Sequence, residues 1–367
     1  MFLLGLDLSC AFFQECVQPI VARTAPQLRY TAALIGPGSE VIGCDDRRST
    51  DHHYGPRVLL FLAPEQLAAR EKLDQALRQQ LPVSFRGYST HFGDPGPNDN
   101  GTRLMRPIRH GPINHMVPLL TLRGWFSDYL GWDYRPESLT PAAWLTFPQQ
   151  KVLTVTAGGV FHDDLNLAAL RRQFAWYPHD VWLYLMAAGW TRIGQEEHLT
   201  GRTGEVGDEL GSSLLGSRLV QDVIRLCFLM FRRYAPYPKW LGTHFQRLPI
   251  GPTLAPLLRQ VQLASTWQDR ERSLCRAFEI LADQHNQLGL TQPMPARVSG
   301  FFGRPFQVIH GGRFADALLG QIQDATVQGI AKRTRMGGVD QISDSTDLLE
   351  AASLRTTLEM LYQTSTS

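Results

Sequence analysis

The sequence lacks the features of a disulfide-rich or strongly charged protein. Its 367 residues include only five cysteines and no Cys-x-x-Cys pair, which argues against both a disulfide framework and a cysteine zinc site. The 36 basic and 34 acidic residues give a net charge of +2, so the overall charge favours neither nucleic acid nor an anionic membrane surface. These absences predict a protein of a reducing compartment, which we take to be the cytoplasm.

Long apolar runs are missing as well. The apolar start of the chain has no Lys or Arg before it and is interrupted by Asp7, so we expect no secretory signal. The apolar run 181–190 is shorter than the roughly 20 residues that cross a bilayer. The sequence therefore predicts no membrane partner.

The composition is that of a folded protein with more than one domain. Hydrophobic residues make up 43% of the chain and aromatic residues 10%, which excludes intrinsic disorder. A single hydrophobic core rarely grows beyond roughly 250–300 residues, so a chain of this length is expected to form two domains.

The hydrophobic periodicity changes character along the chain. An amphipathic helix is predicted over 6–22, strands over 30–35 and 58–62, and a helix over 64–80. The stretch 92–112 is rich in Gly, Pro, Asn and Asp and predicts a surface loop. Beyond about residue 139 the pattern is helical. We expect an α+β protein with a mixed α/β domain at 1–138, an all-helical domain at 139–350 and a helical, frayed end at 351–367.

The strongest chemical signal follows the first predicted strand. Gly38-Ser39 provides backbone N–H groups and a hydroxyl at a turn that a phosphate can approach closely. Asp51 and His53 come shortly before the next strand, and together they could hold a divalent metal ion against phosphate oxygens. The simpler alternative is that Asp51 caps a turn and His53 fills a polar niche.

These residues resemble the polymerase-beta-like nucleotidyltransferase superfamily, whose signature is Gly followed by Gly or Ser, a spacer, and two carboxylates one residue apart. The wider set of matching segments is similar to an uncharacterised bacterial family of that superfamily: 39–43, 49–57, 176–178, 195–197, 204–211 and 237–242. The resemblance implies a nucleotidyltransferase-like N-terminal domain before a helical one. It also implies nucleotide binding at Gly38, Ser39 and Arg57.

The chain departs from the superfamily pattern at the second carboxylate, where His53 stands, and no third carboxylate can be recognised. An imidazole ligand suits Mn²⁺ or Zn²⁺ better than Mg²⁺, which prefers oxygen. The triplet Asp51-His52-His53 also matches the name motif of the DHH phosphoesterases. In that family the triplet closes an apolar strand, whereas here it follows a polar loop.

The helical part offers further candidates. The resemblance nominates Lys239 for contact with the triphosphate, with a surface lysine beside a core tryptophan as the alternative. Glu197 and Glu205 lie in the densest acidic neighbourhood, where a carboxylate could act as general base toward an acceptor hydroxyl. Carboxylates that stabilise helix N-termini would give the same pattern. The polar positions of the helix predicted at 207–233 favour a solvated face.

The sequence thus predicts transfer of a nucleotidyl group from a nucleoside triphosphate to a hydroxyl or amine, with Mg²⁺ or Mn²⁺ as cofactor. The acceptor would be a small molecule or a protein. Two alternatives stay open. One is a catalytically silent protein that binds a nucleotide or another ligand on the same fold, and the other is a metal-dependent phosphoesterase.

Overall fold

The computed structural model describes residues 2–51, 54–96 and 101–363 and shows an α+β protein. The chain divides into two compact units. The first comprises Met1–Ser138 and Lys151–Ala175, and the second comprises Leu139–Gln150 and Trp176–Ser367. This division differs from the expected one, which placed all of 139–350 in the helical domain. Residues 151–175 return to the first unit because they carry a strand of its sheet.

The first unit is built around a mixed four-stranded sheet in the order β5-β2-β1-β6. β1 is antiparallel to both β2 and β6, and β2 is parallel to β5. The strands of the first unit are β1 Tyr30–Leu34, β2 Leu59–Leu62, β3 Ser84–Phe85, β4 Tyr88–Ser89, β5 Leu119–Leu120 and β6 Gly159–Asp163. The expected strands over 30–35 and 58–62 are confirmed, whereas β6 falls where the pattern had predicted only helix and loop.

Helices cover this sheet. They are α1 Gly5–Phe12, α2 Gln18–Thr24, α3 Arg70–Gln80, α4 Leu122–Leu130, α6 Gln149–Thr156 and α7 Leu167–Gln173. A π-helical turn, Phe13–Val17, joins α1 to α2, directly before Pro19, which has no N–H to donate to the preceding turn. Leu8, Phe12 and Ile20, which lie on either side of that turn, belong to one core cluster with residues of β1 and β2.

As far as residue 363, the second unit is helical apart from one short hairpin, β7 Ser299–Gly300 and β8 Gln307–Val308. Its helices are α5 Pro141–Thr146, α8 His179–Glu196, α9 Leu199–Glu205, α10 Glu209–Met230, α11 Pro238–Gln246, α12 Gly251–Leu263, α13 Trp267–Gln287, α14 Gly311–Leu319, α15 Ala325–Arg333, α16 Val339–Ile342, α17 Thr346–Glu350 and α18 Arg355–Glu359. Short 3₁₀ turns occur in both units. They lie at 47–51, 64–69 and 136–138 in the first and at 352–354 and 360–362 in the second.

The centre of the second unit is α8, which packs against α10 and α14. Its tryptophans are buried with their indole N–H groups satisfied. Trp182 donates to the carbonyl oxygen of Leu229 at 2.8 Å, and Trp190 donates to Nδ1 of the buried His285 at 3.1 Å. These aromatic residues therefore belong to the core, since each buries its apolar ring and donates its N–H group to an acceptor.

The solvated face expected on α10 is wrong for two of its polar residues. Ser212 and Asp222 are buried. Arg270 donates to Ser212 Oγ at 2.6 Å, and Arg192 Nε donates to Asp222 Oδ1 at 2.8 Å. Buried polar groups need such partners, so these side chains tie α10 to its neighbours within the second unit.

Candidate functional site

Sheet topology brings the two parts of the predicted site to one edge. β1 runs into Gly36-Pro37-Gly38-Ser39, called here the glycine loop, and β2 starts beside the end of β1 because Ala33 lies opposite Leu59. The glycine loop and residues 54–58, which lead into β2, therefore share one edge of the sheet, called here the loop edge.

An ion pair joins these two segments. Arg57 Nε donates to Glu40 Oε1 at 3.0 Å, and Arg57 Nη2 also donates to Glu40 and, at 2.8 Å, to the Pro37 carbonyl oxygen. Only 11% of the Arg57 side chain and 5% of the Glu40 side chain are exposed. Arg57, which the resemblance assigns to the nucleotide, thus has two partners inside the protein and fixes the glycine loop to the strand that follows.

The ion pair occupies the space that a side chain at position 38 would fill. The φ of Gly38 is +145°, and a Cβ built there would lie 2.6 Å from both Arg57 Nη2 and Glu40 Oε2. No side chain fits without moving a buried charge. The glycine is therefore required by the packing of the loop as well as by its backbone conformation.

The chain beyond the loop forms a short turn whose acidic side chains have partners. Asp45 accepts from the Gly5 N–H at 2.6 Å, and Asp46 accepts from the N–H groups of Arg48 and Ser49 at the start of the 3₁₀ turn Arg47–Asp51. That turn ends at Asp51. The Asp51 side chain, His52 and His53 lie outside the residues that the structure describes.

Residues 151–154 support the glycine loop from α6, which the sequence had placed in the helical domain. The Gly36 N–H donates to the Thr154 carbonyl oxygen at 3.0 Å, and Thr154 Oγ1 lies 2.6 Å from the Tyr129 hydroxyl. Lys151, only 4% exposed, donates to the Tyr129 carbonyl oxygen at 3.0 Å. No local pattern indicates this contact, because it joins residues that are far apart in sequence.

Another polar cluster lies beside the start of β2. Met116 forms a parallel bridge to Arg57, which places Asn114 next to the residues that lead into β2. Asn114 Nδ2 donates to Asp94 Oδ1 at 3.1 Å, and the Asn114 N–H donates to His91 Nδ1 at 3.1 Å. Asp94 is thus a carboxylate at the loop edge that the sequence did not single out, because it lies in the predicted surface loop.

The described residues alone form no metal site. Among residues 2–51, 54–96 and 101–363, no three His, Cys, Asp or Glu side chains come together as metal ligands. The side chains of Asp51 and His53 are not among those searched. Metal binding at the loop edge therefore stays a prediction.

Two predicted residues of the second unit are exposed. Lys239 lies at the start of α11 with its ammonium 5.0 Å from the centre of the Trp240 ring. Glu205 ends α9 and pairs with Arg202 at 2.9 Å. Both side chains are open to solvent, which is compatible with a ligand contact and equally with a surface position.

Glu197 is buried, with 5% exposed. Its Oε2 accepts from the Ile309 N–H at 2.6 Å and its Oε1 from the Gly311 N–H at 3.1 Å. Burial raises the pKa of this carboxyl to about 7, although both amides favour the charged form. The geometry is that of a carboxylate holding the segment before α14.

His and Asp are adjacent in sequence at His162-Asp163-Asp164 and at His179-Asp180, and these side chains have structural partners. Asp163 accepts from the Leu167 and Ala168 N–H groups at the start of α7, and His162 Nε2 lies 2.9 Å from Asp164 Oδ2. Asp180, in the first turn of α8, accepts from two backbone N–H groups of residues 323–324. Such contacts are typical of caps and turns.

The fold and site define an α+β protein with a glycine loop between two antiparallel strands. Comparison with protein families shows that residues 144–241 match a domain of unknown function, DUF4037. This segment includes Glu197, Glu205 and Lys239 but not the glycine loop. A search of curated proteins found no match.

Among solved structures, the chain is similar to a nucleotidyltransferase-like protein from Exiguobacterium sibiricum 255-15, with 10% sequence identity. The alignment covers 81% of this chain and 97% of that one, with a TM-score of 0.31. A TM-score this low leaves the activity to be argued from the residues themselves. Within the described residues, no helix has the length and hydrophobicity to cross a bilayer.

Proposed function

We propose that this protein transfers a nucleotidyl group from a nucleoside triphosphate to a hydroxyl or amine of a small molecule or protein. The observation that carries the proposal is the loop edge, where the glycine loop and the residues leading into β2 are fixed together by Glu40 and Arg57. A phosphate site next to a metal-binding segment is the minimum equipment for this reaction.

In the reaction, the acceptor oxygen or nitrogen attacks the α-phosphorus of the triphosphate. The bond from that phosphorus to the bridging oxygen breaks, pyrophosphate leaves, and the acceptor proton passes to a base. The glycine loop would bind phosphate oxygens through Gly38 and Ser39. Arg57 acts as a positioning residue, because its guanidinium bonds Glu40 and Pro37.

A divalent cation would be held by Asp51 and His53, and we add Asp94 as the third ligand. The support for Asp94 is its bond to Asn114, which lies next to the residues leading into β2. Two carboxylates and an imidazole suit Mn²⁺ better than Mg²⁺. The bound cation would neutralise charge on the triphosphate.

Lys239 is proposed as a phosphate contact, since its ammonium is exposed and can bind phosphate oxygens. Of the two predicted general bases, Glu205 is the exposed carboxylate, and the role of base stays a prediction for it. Glu197 is better explained as an anchor of the segment 309–311, because each of its oxygens accepts a backbone N–H.

A catalytically silent nucleotide-binding protein is the second candidate. It is favoured by His53, which stands where the superfamily carries its second carboxylate. Release of pyrophosphate separates the two candidates.

The test incubates the protein with each of the four triphosphates in Mg²⁺ and in Mn²⁺, with pooled hydroxyl and amine acceptors. Release of pyrophosphate and thermal stabilisation are both measured. Nucleotidyl transfer predicts both, and a silent binder predicts only stabilisation, because a ligand of the native state raises its stability. Neither effect with any triphosphate would contradict both candidates.

A further inference from the structure

The edge of the sheet opposite the glycine loop contains a cavity of about 220 Å³ within the first unit. β1 begins at this edge, and β2, β5 and β6 end there. The cavity is separated from the glycine loop by the length of β1, roughly 16 Å at about 3.3 Å per residue. It is lined by Arg29, Leu62, Ala63, Pro64, Glu65, Thr121, Leu122, Arg123, Tyr134, Leu165 and Asn166.

Two arginines give the cavity its positive charge. Arg29 uses one Nη2 donor on the Asp164 carbonyl oxygen at 3.3 Å. Arg123 has no hydrogen bond or ion pair with any side chain or carbonyl in the described part of the chain. A guanidinium carries five donors arranged to match carboxylate or phosphate oxygens. The exposed Arg123 can therefore offer its donors to a ligand, whereas Arg29 also interacts with the Asp164 carboxylate.

The backbone beside the cavity is strained at Tyr134, whose φ of +64° lies in the left-handed region that bulky residues rarely adopt. Burial and the nearby Asp163 raise the pKa of the Tyr134 hydroxyl, so it stays protonated and can donate. Strained residues of this kind collect at ligand sites more often than elsewhere.

Glu65 adds one carboxylate to the lining. Its negative charge opposes an anion but accepts hydrogen bonds from a hydroxyl or an amino group. The lining as a whole therefore matches a molecule with an oxyanion at one end and a hydrogen-bond donor at the other. The volume is smaller than the roughly 300–1,000 Å³ of pockets for drug-sized ligands, which restricts the ligand to a small metabolite.

We propose that this cavity is a binding site for a small hydroxylated or amino compound carrying a phosphate or carboxylate group, which is held by Arg29 and Arg123. The site is separate from the loop edge and does not depend on the function proposed for it. A protein with both sites would bind one ligand at each edge of the same sheet.

The test is calorimetric titration with inorganic phosphate and with acetate, which separates the two oxyanions. Wild type should bind at least one of them saturably. Arg123→Gln should weaken that binding about tenfold or more, the effect of losing one charge-assisted contact. Glu65→Gln should strengthen it, since a repelling charge is removed. Arg109→Gln, which removes an exposed guanidinium outside the cavity, is the matched control and should bind like wild type.

Three results would overturn the proposal. One is the absence of saturable binding of either anion up to about 20 mM, well above the roughly 1 mM Kd of a weak specific site. The second is unchanged affinity in Arg123→Gln. The third is a loss of anion affinity in Arg109→Gln as large as that in Arg123→Gln, which would show that only the net charge of the protein matters.

Discussion

Glu40 and Arg57 form an ion pair, with 3.0 Å between Arg57 Nε and Glu40 Oε1, that joins the glycine loop to the residues leading into β2. With 5% and 11% of their side chains exposed, both charges are largely removed from water. Removing one partner of a buried pair leaves the other charge uncompensated. The pair therefore sets the geometry of the loop edge and makes it sensitive to substitution.

Glu40→Gln is expected to lower the free energy of unfolding by about 3 kcal/mol, the scale observed when one partner of a buried pair is lost. Combining it with Arg57→Met should recover part of that loss, because no unpaired charge remains. Urea denaturation of both single variants and the double variant gives the coupling energy.

The control for this cycle is the exposed pair Arg86 and Glu15, of which 45% and 53% of the side chains are exposed. Glu15→Gln should cost less than about 1 kcal/mol. Equal losses for Glu40→Gln and Glu15→Gln would show that Glu40 and Arg57 have no special part in the stability of the first unit.

Gly38→Ala should destabilise the protein more than Gly43→Ala, by roughly 1–3 kcal/mol. Both glycines have a positive φ, but a Cβ at Gly38 would lie 2.6 Å from Arg57 Nη2, whereas one at Gly43 would have no atom within 4 Å. Gly43→Ala therefore measures the strain of an ordinary left-handed residue without any steric contact. Thermal and urea denaturation of the two variants provide the comparison, and equal losses would argue that the space around Gly38 does not matter.

The stability of the folded protein should depend on pH because of the buried Glu197 carboxyl group. Burial raises its pKa from the ordinary 4.5 to about 7 in the folded protein. Between these two values the folded state holds a proton that the unfolded state has released. The contribution of Glu197 is therefore most favourable at low pH, and it is lost as the pH rises through about 7.

Relative to Glu197→Gln, the free energy of unfolding of wild type should fall by about 3 kcal/mol between pH 4.5 and pH 7.5, since one pKa unit corresponds to about 1.4 kcal/mol. Urea denaturation across this pH range measures the difference. Glu205→Gln, which alters an exposed ion pair, is the control and should show almost no trend. A flat difference for Glu197→Gln would mean that the two amide contacts outweigh burial.

Local patterns were sufficient for much of the fold. The apolar runs of β1 and β2 and the periodicity of α1 and α3 predicted these elements, because each buries a continuous stripe or a whole strand. β6 was missed for the opposite reason: all five of its residues are only partly buried, so it carries no apolar pattern. Its pairing with β1 then moved 151–175 into the first unit.

The sequence also located the turn at Gly36-Pro37-Gly38-Ser39, because Gly and Pro interrupt a buried strand. It could not show which partners the charged side chains would take. Arg57 precedes an apolar strand, and Glu40 follows Gly38-Ser39. Opposite charges beside two buried segments were the one sign in the sequence that these side chains could form an ion pair. Asp94 carried no such signal, since its bond to Asn114 joins positions 20 residues apart.

The most direct test of the proposed nucleotidyl transfer is calorimetric titration of a nucleoside triphosphate with Mn²⁺ into wild type and into Asp51→Asn. Asp128→Asn, an exposed carboxylate on α4, is the control for loss of one negative charge. We expect wild type and Asp128→Asn to bind the triphosphate with the same metal dependence. Asp51→Asn should lose metal-dependent binding while unfolding at the same urea concentration as wild type. Binding by Asp51→Asn with unchanged affinity and metal dependence would contradict the proposed metal site, and the glycine loop would then be a structural turn.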